Sequence, residues 1–459
     1  MEFNEAIALV ALKFKDISGT IRVISHLDAD GLTSAAILAK TLEREGKHFN
    51  LTIVRSLTKE FLDELKKEDY KTFVFCDLGS GALKEINETL NDRTVFILDH
   101  HQPQKVKTAF IHLNPLLFKK EDKELSGAGV VYLFSKQLNE ENKDLAYLAV
   151  IGAIGDVQED NGFKGLNNEI LEDARDKILV KNGLKMFGAQ TRPLHKVLEY
   201  SNWPYIPGVT GDYNGALTFL DEIGIELKKN NQFRKLIHLS KDELKKLVDG
   251  IIIRRMDEEN PEDVLGPIYL LKDEENESPF KDLREFSTLL NSCGRLNKPS
   301  IGIGVCLGSE KAREQAFDLL MKYRKEIVNS LNWFNENKGK SVTEEKGFII
   351  IKAEEYIRDT LIGTVNSILS KSGAYKEGTI ILSMAYTIEG NVKCSIREAG
   401  YKQEKDLKKI LERILGDIEG QVGGHTFAAG CLFDQKDEDA FIENAKKILS
   451  SISIEEEVK

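Results

Sequence analysis

The chain has few cysteines, and they are not placed to build a structural site. Its 459 residues include 5 cysteines, an odd number, which stand apart from one another without a Cys-x-x-Cys pair. Structural zinc sites and disulfide frameworks rely on paired or closely spaced cysteines. Neither is therefore indicated, and we expect a protein of the reducing cytoplasm.

Long apolar runs are also missing. No run approaches the ~18–20 apolar residues that a membrane span requires. The N-terminus lacks the pattern of a cleavable signal, and the chain contains no internal repeat, low-complexity segment or Lys/Arg tract. We therefore expect a cytoplasmic protein without a membrane partner.

The chain further lacks the positive charge of a bulk nucleic-acid binder. It carries 64 Lys and Arg against 75 Asp and Glu, which gives a net charge of −11. A protein that holds duplex mainly by counterion release is usually basic. If nucleic acid is the ligand, a few side chains must hold it locally, and a narrow site would admit one strand more easily than a duplex.

What the sequence does contain is a series of acidic and histidine motifs in its first third. Three of them follow short runs rich in Val, Ile and Phe, which are typical of buried parallel strands. Because such strand ends meet at one edge of an open α/β sheet, we expect the motifs to converge there. The four motifs are His26-x-Asp28-x-Asp30, Asp77, Asp99-His100-His101 and Asp156.

This collection of side chains predicts a site for two metal ions. Carboxylates gathered at one edge, without Lys or Arg inside the motifs, would repel one another unless cations neutralised them. Oxygen ligands mixed with imidazole suit Mn²⁺ or Mg²⁺. Two such ions activate a water and stabilise both oxygens of an in-line phosphoryl displacement, so phosphoester hydrolysis is the chemistry implied.

The ordered motifs resemble the DHH phosphoesterase superfamily, which includes RecJ exonucleases, oligoribonucleases, cyclic-dinucleotide phosphodiesterases and manganese pyrophosphatases. Asn291-Ser292-Cys293-Gly294-Arg295 is similar to the Asn-Ala-x-Gly-Arg element of RecJ proteins. Ser395-Ile396-Arg397 and the run from Gly423 to Gly430 are similar to the substrate elements of the DHH-associated C-terminal domain. The resemblance therefore reaches both ends of the chain.

The resemblance implies a role for each of these residues. We expect His26 and Asp28 to serve one ion, Asp30, His100 and Asp156 the other, and Asp77 to bridge them. Asp99 would orient its neighbours and His101 would contact the phosphate. Mn²⁺ is the preferred ion, with Mg²⁺ possible. The implied substrate-binding residues are Asn291, Gly294, Arg295, Ser395, Arg397, Gly423, Gly424 and His425.

Without the resemblance, ordinary structural roles would explain some of these residues. The paired glycines before His425 predict a tight turn ahead of a strand over 426–433, in which backbone N–H groups can form an anion-binding nest. Arg295 and Arg397 would ordinarily be surface ion-pair residues. Because these residues occur in the same chain as the metal motifs, we favour substrate binding for them.

The fold class expected is α/β and two-lobed. A DHH catalytic domain with a parallel sheet would cover residues 1–190, with its first helix starting after Gly31, capped by Thr33 or Ser34, and ending at Gly46. A RecJ-like segment would return to it at 280–308. A connector helix at 309–337 would lead to a second α/β domain, the C-terminal substrate-binding domain, at 338–459.

Residues 191–279 differ from their surroundings, with clustered prolines and acidic groups. We expect an inserted, mainly helical subdomain, with helical patterns near 214–228, 230–239 and 241–256. Its size suits a partner platform. Archaeal RecJ-like proteins resemble the replicative helicase cofactor of eukaryotes in carrying such an insertion, so the resemblance implies a replication partner of the GINS type.

Three functions compete. The leading one is an Mn-dependent exonuclease on single-stranded nucleic acid, in DNA replication or repair; hydrolysis of DNA from 5′ to 3′ is what the RecJ resemblance implies. The first alternative is a phosphodiesterase for short oligoribonucleotides or cyclic dinucleotides. The second is a replisome scaffold of the helicase-cofactor type, which predicts eroded metal ligands. All four motifs are intact here, which favours the enzyme.

Overall fold

A computed structural model describes residues 2–118, 124–160, 162–201, 204–258, 260–400 and 405–457, and the side chains of residues 425 and 453–457 lie outside this description. The chain forms two compact units. The first comprises Met1–Leu194 and Lys228–Met321, and the second comprises His195–Leu227 and Lys322–Lys459. Each unit is considered by itself.

The secondary structure alternates between strands and helices in both units. The strands are β1 Ile21–His26, β2 Phe49–Val54, β3 Thr72–Cys76, β4 Thr94–Leu98, β5 Ile111–Leu113, β6 Ile178–Leu184, β7 Lys228–Lys229, β8 Gln232–Phe233, β9 Leu265–Leu271, β10 Val342–Glu345, β11 Phe348–Lys352, β12 Ile380–Tyr386, β13 Asn391–Glu398, β14 Gly420–His425 and β15 Ala428–Asp434. The helices are α1 Phe3–Lys15, α2 Ala29–Arg44, α3 Lys59–Lys67, α4 Leu83–Leu90, α5 Gly127–Leu138, α6 Ala146–Gly155, α7 Gly165–Asp173, α8 Leu194–Glu199, α9 Tyr213–Glu222, α10 Lys241–Arg254, α11 Leu283–Arg295, α12 Pro299–Cys306, α13 Glu310–Glu336, α14 Asp359–Lys371, α15 Leu407–Leu415 and α16 Glu438–Glu457. Among the described residues, none of these helices is long and apolar enough to cross a membrane.

The first unit is built on a parallel sheet, as the sequence predicts. Within the described residues its strand order is β2-β1-β3-β4-β5, and every neighbouring pair is parallel. Side chains of α1, α2, α5 and α6 pack on one face of the sheet, and side chains of α3 and α4 pack on the other. Burial of both faces explains why β3 reads as a continuous apolar run.

Helix α2 begins earlier than its sequence indicates. It starts at Ala29, and its N-cap is Asp28, whose carboxylate accepts a hydrogen bond from the Gly31 N–H. The expected cap at Thr33 is wrong, because Thr33 lies inside the helix and its hydroxyl donates to the Ala29 carbonyl. The predicted end is confirmed, since Gly46 follows the helix with a φ of 65°.

The second unit carries a mixed sheet. Its order is β10-β11-β12-β13-β15-β14, in which β11 and β12 are parallel and the other described pairs are antiparallel. Helices α14, α15 and α16 pack against it. The expectation of a second α/β lobe is confirmed, and the connector helix is present as the continuous helix α13.

The predicted turn at Gly423 and Gly424 is wrong. Both residues lie in β14, where Gly423 pairs with Gly430 and Gly424 pairs with Ala429. Gly424 has a φ of 111°, and a Cβ there would lie 2.3 Å from the Ala428 carbonyl oxygen. The hairpin itself therefore requires this glycine, because its backbone approaches the neighbouring strand too closely for a side chain.

The region expected as an insertion is mainly helical, with α8, α9 and α10. Its predicted helix over 230–239 is wrong, because β7 and β8 form a short hairpin there and a single 3-10 turn follows at Leu236–His238. Strand β9 pairs antiparallel with β6. Residues 195–227 belong to the second compact unit, whereas 228–279 belong to the first.

Helix α11 fixes the loop that leads from β1 into α2. The Asn291 side chain accepts a hydrogen bond from the Ala29 N–H at 3.0 Å. One turn later, a Cβ on Gly294 would lie 1.7 Å from the Leu27 carbonyl oxygen. The helix can approach this loop only because position 294 has no side chain.

Replacing Gly294 with alanine should therefore destabilise the protein, because the new methyl group meets backbone rather than a flexible side chain. We expect a loss of about 1–3 kcal/mol, the usual cost of overpacking a dense interior. Thermal unfolding followed by circular dichroism measures it. Gly81→Ala is the matched control, since a Cβ at Gly81 has no atom within 4 Å. Equal melting temperatures for the two variants would contradict the close approach.

Candidate metal centre

The predicted metal-binding residues come together at the carboxyl edge of the parallel sheet. His26 ends β1, Asp77 directly follows β3, and Asp99 directly follows β4. Asp156 arrives differently, because it is the C-cap of α6 rather than the end of a strand. The carboxyl edge of one sheet, the start of α2, which carries Asp28 and Asp30, and the end of α6 thus supply the candidate ligands.

The ligand atoms fall into groups of the size that one ion requires. Within each group the candidate atoms all lie within 4.8 Å of one another. The groups are His26, Asp28 and Asp77; Asp30, His100 and Asp156; and Asp77, Asp99, His100 and His101. Asp77 is the carboxylate shared between the first and third groups.

Asp77 is the most constrained of these residues. Its backbone is in the left-handed region, with a φ of 57°, which is uncommon for a residue with a side chain. The imidazole nitrogens nearest to its carboxylate are His26 Nδ1, at 3.7 Å from Oδ2, and His100 Nε2, at 3.4 Å from Oδ1. Both carboxylate oxygens, and His100 Nε2, are buried without a hydrogen-bond partner within the part of the chain that the structure describes.

The electrostatics at Asp77 favour a cation. Burial raises the pKa of its carboxyl group well above the usual value, and the charges of Asp30, Asp28, Asp99 and Asp156 raise it further. A buried carboxylate without hydrogen bonds is costly, and a divalent ion would satisfy both of its oxygens. The residues present therefore fit divalent ions held by oxygen and imidazole.

Asp30 is held by the start of helix α5. Its carboxylate accepts hydrogen bonds from the Gly127 N–H at 2.7 Å and the Ala128 N–H at 2.9 Å. The first turn of a helix offers unpaired N–H groups and a partial positive charge, so it stabilises a carboxylate. This arrangement orients Asp30 toward the centre, where its Oδ2 lies 3.7 Å from His100 Nε2.

Two glycines make room for the carboxylates. A Cβ on Gly127 would lie 2.5 Å from Oδ1 of Asp77, and a Cβ on Gly152 would lie 2.5 Å from Oδ1 of Asp30. Both distances are too short for real atoms, so any side chain at either position would displace an acidic residue. These glycines are part of the site, although they offer no ligand.

The two carboxylates at the margins of the site differ in pKa. Burial opposes ionisation of Asp28, but His26, 2.9 Å away, and the Gly31 N–H hold its pKa below the usual range. Burial raises the pKa of Asp156 to about 6, and Asp30 and Asp28 add to the shift, while His100 opposes it. Without a cation, Asp28 is therefore ionised at neutral pH and Asp156 is harder to ionise.

Asp99 and His101 form a hydrogen-bonded pair beside the candidate ligands. His101 Nδ1 lies 2.8 Å from Asp99 Oδ1, and the same carboxylate accepts from the backbone N–H groups of His100 and Ser80, each at 2.8 Å. Burial opposes the charge of both groups, yet this pairing lowers the pKa of Asp99 below its usual range and raises that of His101 to about 9. His101 is therefore cationic at neutral pH.

The predicted substrate residues of the first unit lie on α11. Asn291 and Gly294 face the loop between β1 and α2, as described above, and Arg295 is the last residue of the helix. The structure gives Asn291 and Gly294 a role in placing this loop. Contact with substrate stays a prediction for all three residues.

The predicted substrate residues of the second unit lie on neighbouring strands. Arg397 on β13 donates a hydrogen bond to the Ile396 carbonyl at 2.8 Å and makes longer contacts to Ser395 Oγ and the Ala429 carbonyl. Gly423 and Gly424 lie on β14, which pairs with β15 and is an edge strand of the sheet. The side chain of His425 lies outside the described residues, so its role in substrate binding stays a prediction.

Arg55 was not found from the sequence. It directly follows β2, whose last residue, Val54, is the register partner of His26. This places a cation at the carboxyl edge of the sheet, where its Nη2 donates a hydrogen bond to Asn297 Oδ1 at 2.9 Å. Its signal in the sequence is the same as that of the other motifs, a charged residue at the end of a β-branched run.

Two family models match the chain. The model of the DHH family, N-terminal domain, covers residues 20–153, which include every metal-site residue except Asp156. The model of the DHH-CID domain covers residues 186–266. The DHH-CID match overlaps most of the region 191–279, whose composition differs from its surroundings.

Similar proteins extend the comparison. An uncharacterized protein of Methanocaldococcus jannaschii is 30% identical over 461 residues, which cover 98% of this chain and 97% of that protein. The single-stranded-DNA-specific exonuclease RecJ of Thermus thermophilus is 31% identical over 150 residues, which cover 30% of this chain and 22% of RecJ.

Solved structures share the fold. A structure of RecJ in complex with Mn²⁺ from the same Thermus strain has a TM-score of 0.59 at 19% identity, and the match covers 98% of this chain and 55% of RecJ. The chain thus spans about half the length of RecJ. A structure of CDC45 from Entamoeba histolytica has a TM-score of 0.64 at 13% identity and matches over 98% of each chain. The solved structures show the fold, and the DHH family models, the Methanocaldococcus relative and the sequence match to RecJ together show that the chain belongs to the DHH superfamily, as a RecJ-like protein.

Proposed function

We propose that this RecJ-like DHH phosphoesterase is an exonuclease that hydrolyses single-stranded DNA from the 5′ end and takes part in DNA replication or repair. The observation that carries the proposal is the buried carboxylate of Asp77, which has no hydrogen-bond partner among the described residues and belongs to two of the groups of ligand atoms. The homology to a single-stranded-DNA-specific exonuclease supports the choice of substrate.

Two divalent ions would complete the site. His26, Asp28 and Asp77 would hold one ion, and Asp30, His100 and Asp156 the other, with Asp77 as the bridge. When bound, such ions lower the pKa of a water and neutralise phosphate oxygens during displacement. Mn²⁺ is the proposed ion, with Mg²⁺ as a substitute, and RecJ structures in complex with each of these ions share the fold.

The side chains of the chain itself would bind and orient the phosphate. The cationic imidazole of His101, held by Asp99, is 41% exposed and suited to contact a phosphate oxygen. Arg295 is the proposed phosphate contact of the first unit, and Arg397 is the proposed phosphate contact of the second unit. Because the chain is acidic overall, these few contacts would provide most of its affinity for nucleic acid.

The structural match to CDC45 favours a second function, a scaffold within a replication complex. That match covers 98% of this chain and 98% of CDC45, whereas the matches to two RecJ structures cover 55% and 94% of the RecJ chain. The two functions are compatible, because the four metal motifs are present and the region 191–279 contributes none of their residues. A phosphodiesterase for short oligoribonucleotides or cyclic dinucleotides remains the enzymatic alternative.

The first test is hydrolysis of three end-labelled substrates, single-stranded DNA, single-stranded RNA and a cyclic dinucleotide, by the purified protein with Mn²⁺. We expect the DNA to be shortened from its 5′ end. Asp77→Asn should reduce turnover by at least about a thousand-fold, because the proposed ligand of both ions is lost. Each factor of ten corresponds to about 1.4 kcal/mol of lost transition-state stabilisation. Substantial activity of Asp77→Asn with Mn²⁺ would refute the two-ion site.

The same variant has a second readout that does not depend on turnover. In EDTA, Asp77→Asn should melt a few degrees above the wild type, because the amide removes a buried charge that nearby carboxylates repel. Added Mn²⁺ should raise the melting temperature of the wild type much more than that of the variant. The opposite order in EDTA would show that the carboxylate is stabilised without metal.

The second test concerns the proposed binding of a substrate phosphate by Arg397. Arg397→Ala should lower kcat/KM on single-stranded DNA by about tenfold or more, the loss expected for one charge-assisted phosphate contact. Bound Mn²⁺ should not change. Arg358→Ala is the matched control, because Arg358 belongs to the same unit and pairs with Glu326 at 2.7 Å. Equal kinetics of the wild type and both variants would make Arg397 a structural residue.

The third test concerns the partner, which we propose to be a GINS-type replication factor bound to the region 191–279. At the end of α10, Ile253 and Met256 are 65% and 70% exposed, so both apolar side chains are available to a partner. Ile253→Ser with Met256→Ser should abolish binding to the purified GINS-type factor of the same organism and preserve nuclease turnover. Leu9→Ser with Leu12→Ser, on the exposed face of α1, is the control. Unchanged binding would place the docking surface elsewhere.

A further inference from the structure

The Asp99–His101 pair is supported by a third side chain, Asn114. This residue follows β5 and is fully buried. Its Nδ2 donates one hydrogen bond to the His101 carbonyl and another to Ser80 Oγ, both at 2.8 Å. Its Oδ1 accepts from the Leu116 N–H at 2.9 Å.

These contacts fix the orientation of the amide. A backbone N–H can only donate, so the oxygen of Asn114 must face Leu116 and the nitrogen must face the other two groups. All three contacts are then made with correct donors and acceptors. Asn114 thereby joins the loop after β4, the loop after β3 and the segment after β5.

Both groups that receive its hydrogen bonds act on the Asp99–His101 pair. The first is the main chain of His101 itself. The second is Ser80, whose backbone N–H donates to Asp99 Oδ2 at 2.8 Å and whose Oγ also lies 2.8 Å from His112 Nε2. Asn114 therefore restrains His101 directly through its backbone and indirectly through the carboxylate that holds its imidazole.

We propose that Asn114 is a positioning residue that sets the reach of the His101 imidazole toward the substrate phosphate. This inference rests on the proposed function and extends it. Asn114 contacts neither substrate nor ion; it acts by holding the main chain of His101 and the loop of Ser80 in one geometry. Misplacing a phosphate contact by a fraction of an ångström costs turnover even when all reacting groups are present.

A double-mutant cycle tests the inference with the complete chain, Mn²⁺ and a single-stranded DNA oligonucleotide. Asn114→Ala should lower kcat by about tenfold while KM and bound Mn²⁺ stay within about twofold. In a His101→Ala background the same change should have little further effect, because its route of action is already lost. Independent, multiplicative losses would overturn the proposal.

The matched control is Asn142→Ala. Asn142 is also fully buried in the first unit and donates to a backbone carbonyl, that of Ser135, at 2.8 Å. It should lower the melting temperature as Asn114→Ala does and leave kcat within about twofold. An equal loss of kcat in this control would show that the effect is one of stability. If Asn114→Ala fails to fold, Asn114→Asp keeps the shape and the acceptor for Leu116 while removing both donors.

A third readout separates this inference from the proposed function. The nitrogen resonances of the His101 imidazole, recorded by NMR on selectively labelled protein, should shift or broaden in Asn114→Ala and stay unchanged in Asn142→Ala. If the wild type hydrolyses none of the substrates, the proposed function fails, and this measurement alone decides the role of Asn114. Unchanged His101 resonances would refute it.

Discussion

Repulsion among buried carboxylates is the constraint on which the arrangement of the first unit depends. Each acidic side chain at the sheet edge except one is given a donor by the fold. Asp30 accepts from the start of α5, Asp28 accepts from Gly31 beside His26, and Asp99 accepts from three backbone N–H groups and His101. Within the described part of the chain, Asp77 is left without such a donor, and it stands in the middle.

The distribution of donors separates two kinds of acidic residue. A carboxylate whose lone pairs are used by backbone N–H groups is held still, and its remaining capacity is directed toward the centre. A carboxylate without hydrogen bonds is unstable alone and gains most from an ion. The site thus consists of hydrogen-bonded carboxylates around Asp77, which has no hydrogen bond among the described residues. Burial of both faces of the sheet offsets the energetic cost of holding these carboxylates together.

Much of this architecture can be read from the sequence, and the exceptions have physical causes. The strands of the first sheet and the meeting of the motifs follow from apolar runs and the rule that parallel strand ends converge. The start of α2 was misplaced because Asp28, read as a ligand, is also the cap. The strand at Gly423 and Gly424 depends on a pairing with β15 that no local pattern reveals. The position of Asn114 can be recognised only from its hydrogen bonds to neighbouring loops. Arg55 ends a β-branched run as the other motifs do, but a cation there is not a metal ligand and is common on protein surfaces.

The glycines beside the carboxylates have a consequence for how this lineage diverges. Position 127 or 152 could gain a single methyl group while all the aspartates and histidines persisted, and a central carboxylate would still be displaced. A descendant can therefore lose activity even though its sequence keeps every metal-binding aspartate and histidine. Sorting such descendants into enzymes and scaffolds requires reading the smallest residues of the site together with the charged ones.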